Sequence, residues 1–132
     1  VDSEFVMIIH DDGFIINPHL WNDSFLDYDY IGAPWPKVFG PNNNEDVNRG
    51  RVGNGGFCIR SKKLLELTAD RKFVYKNLNE DDLICHVNRD FLVSNGIKFA
   101  PEELARYFSF EREITNLIPF GFHGEFHMDK FL

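Results

Sequence analysis

The chain has 132 residues, of which 43% are hydrophobic and 15% aromatic, so it can fill one globular core and is too apolar for a disordered chain. Its 14 Lys and Arg against 21 Asp and Glu give a net charge of −7, which disfavours a nucleic-acid partner because phosphate binding needs clustered cations. The longest apolar run, Phe5 to Ile9, is far shorter than the roughly 20 residues that cross a bilayer, and no signal peptide is recognisable.

The first part of the chain is organised as strands separated by turns. Phe5 to Ile9 is continuously apolar, which predicts a buried strand with helices over both faces of its sheet. Residues 28–32 predict a second strand, which a Pro-Trp-Pro sequence closes because proline does not fit a helix interior. Residues 37–56 are rich in Asn and Gly and predict a long mobile loop, of a length that is usually functional or disordered.

The remainder of the chain alternates between strands and helices. We predict, in chain order, a strand over residues 57–60, a helix capped by Ser61, an amphipathic helix over residues 81–94 ending at Asn95-Gly96, a strand over residues 97–100, a short helix from Pro101 and a loop over residues 119–124. Such alternation is typical of an α/β layered fold.

The polar sequence His10-Asp11-Asp12-Gly13 follows the first predicted strand. Ligands of open α/β sheets bind just beyond the carboxyl ends of strands. Two adjacent carboxylates repel each other unless a cation lies between them, and Mg²⁺ or Mn²⁺ accepts such oxygen ligands. The alternative is a solvated turn in which the Asp side chains accept hydrogen bonds from backbone N–H groups.

Two further motifs could contribute to a site. Gly53-Asn54-Gly55-Gly56 allows a ligand to approach the backbone closely, or is an ordinary flexible loop. The acidic run Glu80-Asp81-Asp82 opens the amphipathic helix, where the helix dipole favours carboxylates, although a catalytic carboxylate would look the same.

The histidines and cysteines have simpler interpretations. His123, between aromatic residues and glycines, indicates either a metal or phosphate contact or a surface imidazole. His127 is predicted to lie on the surface. Cys58 and Cys85 match neither a disulfide scaffold nor a zinc spacing and are expected to be buried as small hydrophobic residues.

Taken in chain order, these motifs, together with Tyr30 to Trp35, resemble the DUF5672 family, which is similar to glycosyltransferases of the GT-A fold. The likeness extends over residues 5–124. It implies a partial GT-A-like, Rossmann-like fold, a mixed sheet flanked by helices, with the N-terminal nucleotide-binding half missing. From the length, we expect residues 1–132 to be one domain. Because the chain begins with Val, we also expect it to be a fragment of a longer protein.

The resemblance implies a metal-assisted transfer of a hexosyl group from a nucleotide sugar to an acceptor hydroxyl, with this chain as the transferase or as the acceptor-side part of one. A DxD-type motif would hold Mn²⁺ or Mg²⁺, and its nearest match here places Asp12 first and Asp11 second as ligands. His123 matches the late histidine that completes the metal shell in many GT-A enzymes.

The acidic run is similar to the acidic motif of β-1,4-galactosyltransferases, which implies that Asp81 takes the proton of the acceptor hydroxyl, with Glu80 and Asp82 beside it. Substrate contacts are expected from His10, Gly13, Trp35, Asn54, Gly55, Gly56 and Phe57. Trp35 and Phe57 could stack on a sugar ring or pack in the core.

Two other classes of function remain open. One is a non-catalytic carbohydrate-binding or assembly domain, and the other is a metal-dependent phosphoesterase that uses Asp11, Asp12 and His123. The transferase requires Asp12, Asp81 and His123 to converge on one cleft. The expected partners are a nucleotide sugar and a carbohydrate or other hydroxyl acceptor, with no nucleic acid, and the expected location is cytoplasmic or membrane-peripheral.

Overall fold

The computed structural model describes residues 2–36, 38–39, 42–43, 52–112 and 115–132 of a mixed α/β fold. The strands are β1 Phe5–Ile9, β2 Gly13–Ile15, β3 Tyr30–Gly32, β4 Val38–Phe39, β5 Asn42–Asn43, β6 Phe57–Ser61, β7 Ser109–Phe110 and β8 Gly121–His123. The α-helices are α1 Lys62–Leu67, α2 Glu80–Asp82, α3 Arg89–Ser94, α4 Glu102–Phe108 and α5 Met128–Phe131. A π-helical turn covers Leu83–Val87, and 3₁₀ turns cover Pro18–Leu20, Asp23–Asp27 and Glu125–His127.

The first sheet has the order β1-β6-β3, and both pairs of neighbouring strands are antiparallel. All five residues of β6 are buried, whereas β1 is half-buried and its last residue, Ile9, is 43% exposed. The prediction that helices cover both faces of β1 is therefore wrong. An antiparallel edge strand needs only one covered face, and its apolar run does not distinguish the two cases.

The second sheet has the order β2-β8-β7, in which β8 is antiparallel to β2 and parallel to β7. The predicted loop over residues 119–124 thus contains the central strand, and that prediction is wrong. Glycine is needed at position 121 for packing, because a Cβ atom there would lie 2.2 Å from the Phe57 ring. The glycine that suggested a loop instead allows two elements to approach closely.

The predicted amphipathic helix is present as α2, the π-helical turn and α3, which follow one another closely from Glu80 to Ser94. Buried Asn88 separates the turn from α3 and accepts a hydrogen bond from the Val74 backbone N–H at 2.7 Å. Its side-chain amide donates to the backbone oxygens of Val74 and Leu83. The π-helical turn between α2 and α3 was not predictable from the sequence, because one such turn changes the spacing of the apolar residues only a little.

Most other local predictions agree with the structure. The Ser61 hydroxyl caps α1 by accepting from the Leu64 N–H at 3.0 Å, and α4 begins directly after Pro101. The predicted strand over residues 97–100 is reduced to one bridge between Phe99 and Tyr30. The predicted loop over residues 37–56 lies largely outside the described residues, and its described end, residues 52–56, is buried.

The core is built from aromatic rings that join the two sheets. The Phe57 ring on β6 lies 5.2 Å from that of Phe108 and 6.2 Å from that of Phe120. Cys58 and Cys85 are buried free thiols, as predicted. His127 is only 1% exposed, so its predicted surface position is wrong. Within the described part of the chain, every helix is too short or too polar to cross a membrane.

Candidate functional site

The turn after β1 is fastened to both sheets. The His10 backbone N–H donates to the Gly56 oxygen at 2.8 Å, which ties the turn to the segment before β6. The Gly124 N–H donates to the Asp12 oxygen at 3.0 Å, and Gly13 pairs with His123 in the second sheet. The end of β1 and the end of β8 therefore meet at one edge of the fold.

Three side chains at this edge form a group, which we call the His–Asp–His group: His10, Asp12 and His123. One potential ligand atom from each lies within 4.8 Å of the others. The His123 Nε2 atom is 3.0 Å from the Asp12 Oδ1 atom, and the two imidazole centroids are 5.5 Å apart. Two imidazole nitrogens and a carboxylate oxygen are suitable ligands for a divalent transition metal.

The electrostatics of the group follow from burial. His123 is mostly buried, and this desolvation lowers its pKa, while the Asp12 carboxylate opposes the shift. A neutral imidazole is the form that binds a metal. The Nδ1 atom of His123 is buried and has no hydrogen-bond partner among the described residues.

The predicted metal ligands are only partly brought together. Asp12 and His123 belong to the group, whereas Asp11 is exposed and does not belong to it. His10, which the sequence placed among the substrate contacts, occupies the third position. Its place directly at the end of a strand, two residues before Asp12, was the signal for a ligand.

A cavity of about 290 Å³ lies next to the group, and we call it the Asp81 cavity. Its lining consists of His10, Asn54, Gly55, Gly56, Asn79, Glu80, Asp81 and His123. Asp12 contacts this lining through His123. Of the three residues that the transferase would bring together, His123 and Asp81 line this cavity, whereas Asp12 lies behind His123 and is not part of the lining.

The carboxylate of Asp81 is held at both oxygens. The Gly55 backbone N–H donates to Oδ2 at 3.0 Å, and the Asp82 backbone N–H donates to Oδ1 at 2.9 Å. Each carboxylate oxygen has two lone pairs, so each can accept one further hydrogen. The side chain is therefore oriented and still able to accept a proton.

The two neighbours of Asp81 have different partners. Glu80 accepts hydrogen bonds from both terminal nitrogens of Arg60, at 2.7 and 3.3 Å, and these bonds hold its pKa below the ordinary value. The Asp82 Oδ1 atom lies 3.2 Å from the His86 Nδ1 atom, and Asp82 is not part of the cavity lining. Glu80 and Asp81 therefore share the cavity, whereas Asp82 does not.

Arg60 was not among the predicted site residues. Its side chain is only 5% exposed, and its guanidinium lies over the Tyr30 ring, 5.7 Å from the centroid. An Arg directly after Phe57-Cys58-Ile59 in a buried strand was the available signal, since a buried charge requires a partner. That partner is Glu80.

The motif Gly53-Asn54-Gly55-Gly56 forms part of the cavity wall and passes close to the His123 ring. A Cβ atom on Gly56 would lie 2.1 Å from the His123 Nε2 atom. Asn54 has a positive φ of 62° and is 3% exposed, and its Oδ1 atom accepts from the Gly56 N–H at 3.2 Å. Trp35 and Phe57 are 3% and 0% exposed, which favours core packing over stacking on a sugar ring.

Glu111 is a second residue that the sequence did not indicate. It follows Phe110, which pairs with Phe122 in the parallel β7–β8 ladder, so it emerges beside His123. Its side chain is 11% exposed, and desolvation raises its pKa above the ordinary 4.5. The Glu111 backbone oxygen is hydrogen-bonded to the Nε2 atom of the buried His127 ring, and this contact fixes the end of β7.

Replacing Glu111 by Gln is expected to stabilise the fold at neutral and alkaline pH. Burial raises the pKa of the Glu111 carboxyl in the folded state. The contribution of this carboxyl to the free energy of unfolding is therefore fully present below about pH 4.5 and is lost as the pH rises through the folded-state pKa. The Tm of Glu111→Gln should therefore exceed that of the wild type at about pH 8, with little difference at about pH 4. Exposed Glu103→Gln is the control, and an equal shift for both variants would refute the role of burial.

Comparison with known proteins identifies the family. A family model described as a protein of unknown function, DUF5672, matches residues 1–123. The chain therefore belongs to the DUF5672 family. Comparisons with curated proteins and with solved structures find no significant match.

Proposed function

We propose that this DUF5672 domain takes part in hexosyl transfer from a nucleotide sugar to an acceptor hydroxyl, assisted by a divalent metal. The observation that supports this most strongly is that His123, which contacts Asp12 at 3.0 Å, lines the same cavity as Asp81. We also propose that the two sheets belong to a GT-A-like fold, in which such a site lies beyond the ends of strands.

The His–Asp–His group would hold the metal. Its mixed nitrogen and oxygen ligands favour Mn²⁺ over Mg²⁺, since Mg²⁺ is held mainly by oxygen ligands and water. A metal bound there would supply Lewis-acid stabilisation of the departing nucleotide diphosphate. The lowered pKa of His123 keeps its imidazole neutral at physiological pH and therefore available as a ligand.

Asp81 is the proposed general base. Its carboxylate lines the cavity, and both oxygens are oriented by backbone N–H groups. An acceptor hydroxyl about 3 Å from either oxygen could donate its proton there as it attacks the donor sugar. Glu80 is engaged by Arg60 and supports the wall of the cavity instead.

The phosphoesterase is less well supported than the transferase. A two-metal hydrolase holds its ions about 4 Å apart and needs ligands for both of them. In the described ranges, one group of three potential ligands gathers, and Asp11 stands outside it. A carbohydrate-binding domain without catalysis remains the alternative if no donor is turned over.

The proposal is tested by the hydrolysis of a panel of nucleotide sugars with Mn²⁺ or Mg²⁺. Asp12→Ala is expected to reduce donor turnover by at least about 100-fold, because Lewis-acid stabilisation is worth several kcal/mol. Asp11→Ala is the matched control, since this exposed neighbour does not belong to the group, and it should retain turnover.

Three results would contradict the proposal. No turnover of any donor with either metal would favour the binding domain. Cleavage of a phosphodiester such as bis(4-nitrophenyl) phosphate in place of nucleotide sugars would favour the phosphoesterase. Equal losses in Asp11→Ala and Asp12→Ala would remove the assignment of the metal ligands.

A further inference from the structure

A second cavity, of about 140 Å³, shares Glu80 with the Asp81 cavity, and we call it the Phe73 cavity. Most of its lining is apolar and comes from α1, the segment before α2 and the π-helical turn: Leu65, Phe73, Leu83 and Ile84. Glu80, the residue that the two cavities share, directly precedes the proposed base Asp81 in α2.

Most polar side-chain groups that line this cavity already have partners, the exception being the buried Nε atom of Arg60. The Tyr75 hydroxyl donates to the Thr68 backbone oxygen at 2.7 Å, and the Thr68 hydroxyl donates to the Leu65 oxygen at 2.6 Å. Both terminal nitrogens of Arg60 donate to Glu80. A group that enters the cavity therefore meets mainly apolar surface, and a polar group would lose its hydrogen bonds to water there.

The segment that contributes Phe73 and Tyr75 to the lining is apolar and firmly held. Val74, Tyr75 and Leu78 are 48%, 69% and 43% exposed, an unusual concentration of exposed hydrophobic side chains in one short segment. Buried Asn88 clamps this segment through two hydrogen bonds to the Val74 backbone, and the Tyr75 ring packs on Phe73 with centroids 5.0 Å apart. Exposed apolar residues on a fixed segment indicate a binding surface rather than a loose loop.

The volume indicates the size of the ligand. A cavity of about 150 Å³ lined by Leu, Ile and Phe stays dry and binds benzene. The Phe73 cavity is open to solvent on one side but has a similar volume and four such apolar residues, so one six-membered carbon ring would fit into it. A sugar ring of the same size carries hydroxyl groups, and the apolar side chains Leu65, Phe73, Leu83 and Ile84 offer them no partner.

We infer that the Phe73 cavity receives an apolar ring of the acceptor, so that the acceptor is an aryl compound with a hydroxyl rather than a wholly polar saccharide. The identification of the ligand as the acceptor rests on the proposed function, whereas the binding of an apolar ring in the cavity does not depend on it. Because Glu80 lines both cavities, an aryl group seated here would be a neighbour of the Asp81 cavity.

Phenol is the probe, and it is titrated into the chain without metal or donor. We expect phenol to shift the methyl NMR signals of Leu65, Leu83 and Ile84, whereas methyl glucoside leaves them unchanged. Leu65→Trp fills the cavity and should reduce phenol affinity by at least about 10-fold, in the range that misfitting groups cost in apolar pockets.

Two further variants make the test decisive. Tyr75→Ala removes an exposed side chain that lines the cavity and packs on Phe73, and it should weaken phenol binding by about 3-fold. Leu26→Trp places the same new side chain at an exposed position that does not line the cavity, and it should bind phenol as the wild type does. The inference is overturned if phenol shifts none of the three methyl signals, or if Leu65→Trp and Leu26→Trp bind it equally well.

The outcome is separable from that of the proposed function. Phenol binding with no turnover of any donor would refute the transferase and retain the apolar ring site. Donor turnover without phenol binding would retain the transferase and refute the aryl acceptor.

Discussion

Replacing Asp81 by Asn is expected to lower the rate of glycosyl transfer by about 10²–10⁴-fold, the range that a general base contributes. Asp81 accepts one backbone N–H at each carboxylate oxygen, from Gly55 and from Asp82. Asn has nearly the same volume, and its single side-chain oxygen can still accept one of these two hydrogen bonds. It cannot take up the proton of the acceptor hydroxyl. The affinity for Mn²⁺ should remain unchanged, because Asp81 does not belong to the His–Asp–His group.

The matched control for this variant is Asp82→Asn. Asp82 is the next residue in the same helix, but its carboxylate is directed to His86 and not into the Asp81 cavity. Transfer and Mn²⁺ affinity are measured for both variants by steady-state kinetics and by metal titration. Transfer within about threefold of the wild type in Asp81→Asn would exclude the base assignment.

Replacing Gly56 by Ala is expected to destabilise the protein by about 1–3 kcal/mol, the usual cost of overpacking. A Cβ atom there would lie 2.1–2.5 Å from three ring atoms of His123, closer than real Cβ contacts occur. The ring must move, and it carries the Nε2 atom that contacts Asp12. We therefore also expect a loss of Mn²⁺ affinity of about 10–100-fold.

A double-mutant cycle isolates the cause. In the His123→Ala background the ring is absent, so Gly56→Ala should lose most of its cost, which corresponds to a coupling of about 0.5–3 kcal/mol. Denaturant unfolding of the four proteins gives this value. Gly13→Ala is the milder control, because its nearest neighbour is a backbone oxygen at 3.2 Å. An undiminished cost in the His123→Ala background would show that the backbone, and not the ring, requires glycine.

The sequence predicted those elements whose causes are local. The apolar run of β1, the hydroxyl of Ser61 and the break at Pro101 each act within a few residues, and all three led to correct elements. The central strand β8 was missed because its glycine allows contact with Phe57, which is distant in the chain. The burial of His127 likewise depends on its contact with Glu111 across the fold.

The candidate site shows the same division. Asp12 and His123 were proposed as partners through the family resemblance, although they come from opposite ends of the chain. Only the resemblance distinguished Asp81 from Glu80 and Asp82, because the residues themselves, three successive carboxylates, do not. Successive helical residues point about 100° apart, so one helical turn directs neighbouring carboxylates to different partners. The structure places them against Arg60, Gly55 and His86.

The proposed binding of a divalent metal by the His–Asp–His group is tested most directly by the paramagnetic broadening of the histidine NMR signals that Mn²⁺ causes. The chain has five histidines, so three of them serve as internal controls. The imidazole signals of His10 and His123 should broaden at the lowest Mn²⁺ concentrations, and Asp12→Ala should abolish this preference while Asp11→Ala retains it. Broadening of all five signals together, or the same pattern in Asp12→Ala, would contradict the account.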